Sequence, residues 1–309
     1  MSSIYDVIIV GAGPAGLTAA IYAKRAMLNA LLLEKNYMGG GQITNTYEVD
    51  NYPGYPGISG FDLGQKMSEH ADKFEIEKIA TDVLSLNVSG DVKEVHTNNG
   101  VYKAKSLIIT TGNSPAKLHV PGEEKYTGMG VSYCATCDGA FFRNKTTVVV
   151  GGGDVAVEDA IFLARGCEKV YIVHRRDEFR AAAVLQEQLK SMDNVEYVLD
   201  SVVIEIKGED LVNAVVVKNV KTGELKELQV SGVFLAVGNN PNGAFVPDEV
   251  NKDEKGYIIA DETCRTNVPG VFAAGDIRTK KLRQVVTAVA DGANAVYSVQ
   301  EYLMTVESL

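Results

Sequence analysis

Cysteine is scarce in this chain. Four in 309 residues cannot form the disulfide framework of a small secreted fold, so a reducing compartment, the cytoplasm, is the expected location. Long apolar runs are missing too. No stretch approaches the ~20 residues of a membrane span. The short run Val7–Val10 follows Asp6 and lacks the pattern of a signal peptide. Positive charge is in deficit, 30 Lys and Arg against 40 Asp and Glu, which argues against nucleic acid as a partner. There is no low-complexity tract. What remains is ordinary globular composition, 46% apolar and 23% charged, with length enough for two domains.

Two of the four cysteines, Cys134 and Cys137, are separated by two residues, and Asp138 follows at once. Thiols at this spacing can close and reopen a small disulfide, and their pKa values are tunable. A neighbouring carboxylate can move a proton when a thiolate leaves. Two plainer readings stand beside this one. Half a zinc site would need further thiolates, yet Cys167 and Cys264 stand alone without a CxxC or a nearby histidine, so no metal is expected. A static disulfide over so short a loop removes little chain entropy.

The pair lies between two glycine signatures. Upstream, the buried-strand pattern Tyr5–Val10 runs into Gly11-Ala12-Gly13-Pro14-Ala15-Gly16, then a helical run Leu17–Met27, then a strand Ala30–Leu33 ending at Glu34. Gly11 permits the tight turn, Gly13 lets the backbone approach a pyrophosphate, and Gly16 lets helix and strand pack closely. The helix N-terminus faces the phosphates, and Glu34 stands where a carboxylate takes ribose hydroxyls. Phe61–Phe74 reads as an amphipathic helix. Short strands follow to residue 110, with a hairpin turn at Asn98-Asn99-Gly100 and a buried strand running into Thr111-Gly112.

Downstream the pattern repeats. Strand Thr146–Val150 precedes Gly151-Gly152-Gly153-Asp154-Val155-Ala156 and a helix to Ala164, and strand Glu168–Val173 ends in His174-Arg175-Arg176, with Arg180 beyond. Glu34 lies 23 positions after Gly11, and His174 lies 23 after Gly151. An acid in the first copy is thus replaced by a basic cluster in the second. The acid suits free ribose hydroxyls, and arginines suit a 2′-phosphate, so the second site should prefer NADP. The segments Leu107–Pro115 and Val233–Pro241 also correspond, and the stretches 113–122 and 239–246 read as crossings between modules with hinge composition. Residues 270–276 form a third apolar strand ending in Gly275-Asp276, before a helical run Val285–Leu303 that completes the first module. The expected fold is α/β, two Rossmann-like three-layer nucleotide-binding domains with the second inserted in the first: residues 1–115 plus 245–309, and 116–244.

The motifs GAGPAG at 11–16, GGQ at 40–42, YEVDNYPG at 47–54, CATCDG at 134–139, GGGDVA at 151–156, HRRDEFRA at 174–181 and VFAAGD at 271–276 run essentially end to end. By them the chain closely resembles the low-molecular-weight bacterial thioredoxin reductases, disulfide oxidoreductase flavoproteins. The resemblance implies a homodimer that reduces the disulfide of thioredoxin with NADPH. It implies FAD on Gly11, Gly13, Gly16, Glu34, Gly41, Gln42, Asn51, Thr111, Gly112, Gly275, Asp276, Arg283 and Gln284. It implies NADPH on Gly151, Gly153, Asp154, Ala156, His174, Arg175, Arg176 and Arg180. Cys137 is then the flavin-facing thiol, Cys134 attacks the partner disulfide, and Asp138 is the acid/base. Asp154 and Val155 differ from some members of the family. Rival readings are a related flavoprotein acting on another redox protein, a ferredoxin-dependent relative, which would lack the NADPH signature, and a non-catalytic redox sensor.

Overall fold

The computed structural model describes residues 4–36, 38–46 and 49–307. The chain divides into two compact units, Met1–Ser114 with Asn240–Leu309, and Pro115–Asn239.

Unit 1 begins with β1 (Ile4–Val10), α1 (Pro14–Arg25) and β2 (Ala30–Glu34), followed by α2 (Gly60–Asp72) and β3 (Glu77–Ala80). Pro14 fits the first turn of α1, where no backbone N–H is needed. Ser59 caps α2 by accepting the Asp62 N–H at 3.0 Å. Next come β4 (Val83–Asn87), β5 (Lys93–Thr97) and the long β6 (Gly100–Ile109), and the chain leaves through β7 (Asn113–Pro115).

Unit 2 carries β8 (Val131–Ser132), the one-turn α3 (Ala135–Asp138), β9 (Thr146–Val150), α4 (Asp154–Ala164), β10 (Lys169–Val173), α5 (Ala183–Lys190) and β11 (Val195–Val198). Three antiparallel strands follow, β12 (Ser201–Gly208), β13 (Val212–Asn219) and β14 (Leu225–Gln229), then β15 (Gly232–Leu235). The chain returns through β16 (Asn239–Pro241), which pairs with β7, and ends in β17 (Val271–Ala273) and α6 (Val285–Glu307).

In unit 1 the strand order is β3-β2-β1-β6-β5-β4, with β17 also on β6. Strand β6 is long enough to serve two partners on one edge. Residues 100–104 pair antiparallel with β5, and Leu107–Ile109 pair parallel with Val271–Ala273. The return segment therefore completes the first sheet. Because side chains alternate across a strand, β1 feeds two cores. Val7 and Ile9 pack with α1, α6 and Phe272. Ile8 and Val10 pack with Leu31, Leu107, Val246 and Ile258. A strand buried on both faces reads as a continuous apolar run, which is why its sequence is so plain.

Unit 2 holds the sheet β11-β10-β9-β15-β8, all parallel. Helices α4 and α5 cover one face, with Val149, Ile172 and Phe234 in the core between. The sheet β12-β13-β14 covers the other, packing Val203, Val215 and Leu228 on Val148 and Val233. Residues 201–229 are thus the third layer of unit 2, a stretch to which the sequence reading assigned no element.

Candidate functional site

Every residue expected to hold FAD lies in unit 1, and every residue expected to carry the disulfide chemistry or hold NADPH lies in unit 2.

In unit 1, β1 runs into the glycine turn and α1 starts at its far end. A Cβ on Gly16 would stand 1.8 Å from the Gly11 carbonyl, so glycine there is a packing requirement. A Cβ on Gly13 would meet nothing within 4 Å, so that glycine leaves space outside the protein's own packing. Glu34 at the end of β2 turns back to this loop, its Oε2 accepting the Ala12 N–H at 2.7 Å and its Oε1 the Asn36 N–H at 2.9 Å. Gly40 N–H donates to Ala12 O at 2.7 Å, which brings Gly41 and Gln42 beside the turn. Gln42 Nε2 donates to both oxygens of Asn113, at 2.7 Å to Oδ1. Thr111 Oγ1 donates to Asn242 O at 2.7 Å, and Asn242 N–H donates to Gly112 O at 3.0 Å. Asn51 Nδ2 donates to Gln284 Oε1 at 3.0 Å, joining positions 233 residues apart. Tyr47 and Glu48 of the neighbouring motif lie outside the described residues.

Asp276 follows β17. Its Oδ1 is buried without a hydrogen-bond partner, and burial raises its carboxyl pKa against the pull of Lys280 and Arg283. Arg283 sits with its guanidinium 4.1 Å from the Tyr257 ring centre and its Nε buried and unpaired. A buried acceptor without a donor, a buried donor without an acceptor and an open glycine turn are what a flavin dinucleotide, rich in hydroxyl and phosphate groups, would complete. The residues fit FAD.

Beneath Gly275 and Asp276 lies a group the sequence reading missed. Asp291 of α6 is 4% exposed; its Oδ2 accepts the Gly275 N–H at 2.9 Å, Arg278 Nε at 2.8 Å and Lys280 Nζ at 2.8 Å, and its Oδ1 accepts Arg278 Nη2 at 2.8 Å. Burial alone would raise its carboxyl pKa, but these donors hold it below the ordinary value. The available signal was an acid set among the apolar residues of the first half of α6. Cys264 is buried beside it with its thiol pushed up to about 12, chiefly by burial and then by Asp291, and Cys167 is buried too. Neither is a reactive thiol.

In unit 2, Cys134 and Cys137 form a disulfide across the start of α3, with Cα atoms 5.3 Å apart. Asp138 ends that turn. Burial raises its carboxyl pKa, a hydrogen bond from Ser132 draws it back, and its Oδ1 is buried without a partner. Tyr133 O–H donates to the buried Glu123 at 2.9 Å, and burial with that bond pushes the phenol up to about 12.

The second glycine turn joins β9 to α4. A Cβ on Gly153 would meet nothing within 4 Å, as at Gly13, and Ala156 is fully buried in the core behind. The segment after β10 is fastened to this turn: Arg180 N–H donates to Gly152 O at 2.7 Å and Ala182 N–H to Asp154 Oδ1 at 2.8 Å. Arg175, Arg176 and Arg180 are exposed. His174 behaves differently from the rest of its cluster. It is 5% exposed, stacks on Phe179 at 5.6 Å and packs against Gly152, and burial plus three arginines lower its pKa. It is neutral at pH 7 and shapes the turn from below, while the three arginines supply the charge. An anion-accepting turn with exposed arginines beside it fits NADPH.

Among the described residues no helix is long and apolar enough to cross a membrane, and no group of three His, Cys, Asp or Glu is placed to hold a metal ion.

The pyridine nucleotide-disulphide oxidoreductase family pattern matches residues 5–292. A thioredoxin reductase of Peptoclostridium litorale is 45% identical, with 98% of each chain covered. One from Bacillus subtilis is 46% identical, covering 97% of this chain and 95% of its own. The crystal structure of a thioredoxin reductase from Streptococcus pyogenes superposes with a TM-score of 0.94 at 48% identity, covering 99% of this chain and all of that one.

Proposed function

The chain belongs to the pyridine nucleotide-disulphide oxidoreductase family, and we infer that it catalyses the reduction of the thioredoxin disulfide by NADPH. The observation that carries this reading is the Cys134–Cys137 disulfide with Asp138 at its side, its carboxyl pKa raised by burial, in the same unit as a glycine turn flanked by exposed arginines. When bound, FAD and NADPH supply the two-electron chemistry, a hydride drawn from the nicotinamide and passed by way of the flavin to the disulfide. In unit 1 the Gly11–Gly16 turn receives the dinucleotide, Glu34 takes ribose hydroxyls, and Asp276 Oδ1 takes a donor from the sugar-alcohol chain. In unit 2 the Gly151–Ala156 turn receives the pyrophosphate, and Arg175, Arg176 and Arg180 take the 2′-phosphate.

Reduction adds two electrons and two protons to the disulfide, giving two thiols. Cys134 as thiolate then attacks one sulfur of oxidised thioredoxin, and the sulfur that leaves is protonated. Cys137 attacks the mixed disulfide, re-forms the Cys134–Cys137 bond and releases reduced thioredoxin. Asp138 holds and returns the proton these steps exchange. Both the disulfide and the nicotinamide must reach one flavin, so the reading includes a rotation of the two units about the stretches 113–122 and 239–246 between half-reactions. A cross-link between the units should stop turnover and spare FAD binding. The reading also carries a homodimer, resting on the sequence resemblance, and a cytoplasmic location, resting on the scarcity of cysteine, which are open to sedimentation and cell fractionation.

The direct test is NADPH oxidation by the yellow protein with oxidised thioredoxin, with NADH in parallel. Thioredoxin-dependent oxidation of NADPH that disappears in Cys137→Ser supports the electron path. Loss of flavin absorbance with NADPH but no reduction of thioredoxin overturns the partner. No response of the flavin to either nucleotide overturns the assignment of unit 2 and favours a ferredoxin donor or a sensor.

A further inference from the structure

Ser132, the last residue of β8, lies just before the disulfide and is 6% exposed. Its hydroxyl oxygen accepts the Cys134 N–H at 3.1 Å, and its proton is donated to Asp138 Oδ2 at 2.6 Å. The Cys134 carbonyl is a second acceptor 3.3 Å away, but it already receives the amides of Cys137 at 3.2 Å and Asp138 at 3.1 Å. A serine has one proton to give, and the shorter approach to an ionised oxygen is the stronger bond. The other oxygen of Asp138, Oδ1, is buried and has no partner.

We infer that Ser132 is a positioning residue for the disulfide chemistry: by engaging Oδ2 and the Cys134 amide together, it anchors Asp138 to the start of the disulfide loop and leaves Oδ1 as the oxygen that carries the proton. The inference rests on the reading of Asp138 as the acid of the proposed reaction. A proton on Oδ1 leaves Oδ2 as a carbonyl-type acceptor, so the Ser132 bond persists in both proton states and the carboxyl does not turn between them. When the S–S bond takes up two electrons, drawn from NADPH by way of the flavin, both sulfurs leave it as thiolates; the Oδ1 proton passes to one of them, the other takes its proton from solvent, and Oδ1 is left anionic until solvent restores its proton. Two influences shift the Asp138 pKa, burial first, which raises it, and then the Ser132 hydrogen bond, which draws it down. The helix packed on α3 is α4, whose Asp159 is itself raised to about 7 by burial and Glu158. A pH limb must therefore be assigned by substitution rather than by its position.

The test is the pH profile of thioredoxin reduction by FAD-loaded wild type, Ser132→Ala, Ser132→Thr and Asp138→Asn, with an unchanged NADPH-raised melting transition confirming that unit 2 of each variant is folded. Removing a donor to the carboxylate raises its pKa, so in Ser132→Ala the alkaline limb should move up by roughly half a pH unit or more. In the same variant kcat should fall about tenfold while KM for thioredoxin stays within about twofold. Ser132→Thr, which keeps the hydroxyl, should restore both. A merely structural serine would lower activity and leave the limb in place, and that result overturns the inference, as does a threonine variant that behaves like alanine. If Asp138→Asn keeps the wild-type limb, the reading of Asp138 fails and this inference with it. If Asp138→Asn loses the limb while Ser132→Ala leaves it unmoved, only the role of Ser132 falls.

Discussion

Gly152 is the middle glycine of the second turn, outside the spacing that marks a dinucleotide site, yet packing leaves no room there for a side chain. A Cβ on Gly152 would lie 2.2 Å from His174 Nδ1, 2.3 Å from Cε1 and 2.5 Å from Cγ. The ring has little room to retreat. It is stacked on Phe179, and its backbone is pinned by His174 N–H to Val198 O at 3.0 Å and Ser201 N–H to His174 O at 2.9 Å. Overpacking of this kind costs about 1–3 kcal/mol. In a unit of this size each kcal/mol lowers the melting temperature by roughly 4 °C, so Gly152→Ala should lower it by about 4–12 °C. The affected transition is the one NADPH raises, because ligand binding stabilises the unit that binds it. Differential scanning calorimetry of the FAD-loaded protein, with and without NADPH, reads this directly. The Arg180 N–H bonds to Gly152 O, so KM for NADPH should rise as well. Adding His174→Ala should return part of the loss, a non-additive pair. A Gly152→Ala protein that melts within about 1 °C of wild type and keeps its KM would refute the packing argument.

Replacing Arg175, Arg176 and Arg180 together with alanine should raise KM for NADPH at least about tenfold and leave that for NADH nearly unchanged, because the lost bonds reach only the 2′-phosphate. Asp291→Asn should cost about 3–5 kcal/mol, since it leaves Arg278 and Lys280 buried around a neutral group, and the protein should lose FAD on gel filtration. One part of the pH response of unit 2 comes from His174. Its pKa is lowered on folding, so below the ordinary value near 6.5 the unfolded chain binds the extra proton, and stability falls as pH drops from about 6.5. Asp159, raised to about 7, and Asp138, also raised by burial, act in the opposite sense over this range, so the loss is read as the difference in urea unfolding between wild type and His174→Phe from pH 5 to 8.

Much of the fold was legible because its signals are local. Strand β1, the Gly11–Gly16 turn, α1 and β2 form one continuous stretch, and each sets the conformation of the next. The antiparallel layer β12-β13-β14 was not, since its apolar residues serve as a cover whose identity depends on the sheet it packs on. In the site, the glycines and the cysteine pair announced themselves by spacing. Ser132 did not, because one serine beside a motif looks like any other until its hydroxyl is seen between the Cys134 amide and Asp138. His174 was read as part of the basic cluster, but sequence carries no measure of depth, and burial makes it neutral.

By itself the sequence determined the two nucleotide turns, the exchangeable disulfide and the reversal from Glu34 to Arg175, Arg176 and Arg180. These are patterns of neighbours, held together by the covalent chain. Only the tertiary structure decided that Asn51 meets Gln284, that Gln42 meets Asn113 and that Asp291 lies under Gly275. Those contacts join positions far apart in the chain, or set on elements that share no local pattern. Packing creates them by bringing the return segment back onto the first sheet, and desolvation then sets the charge of each group it buries.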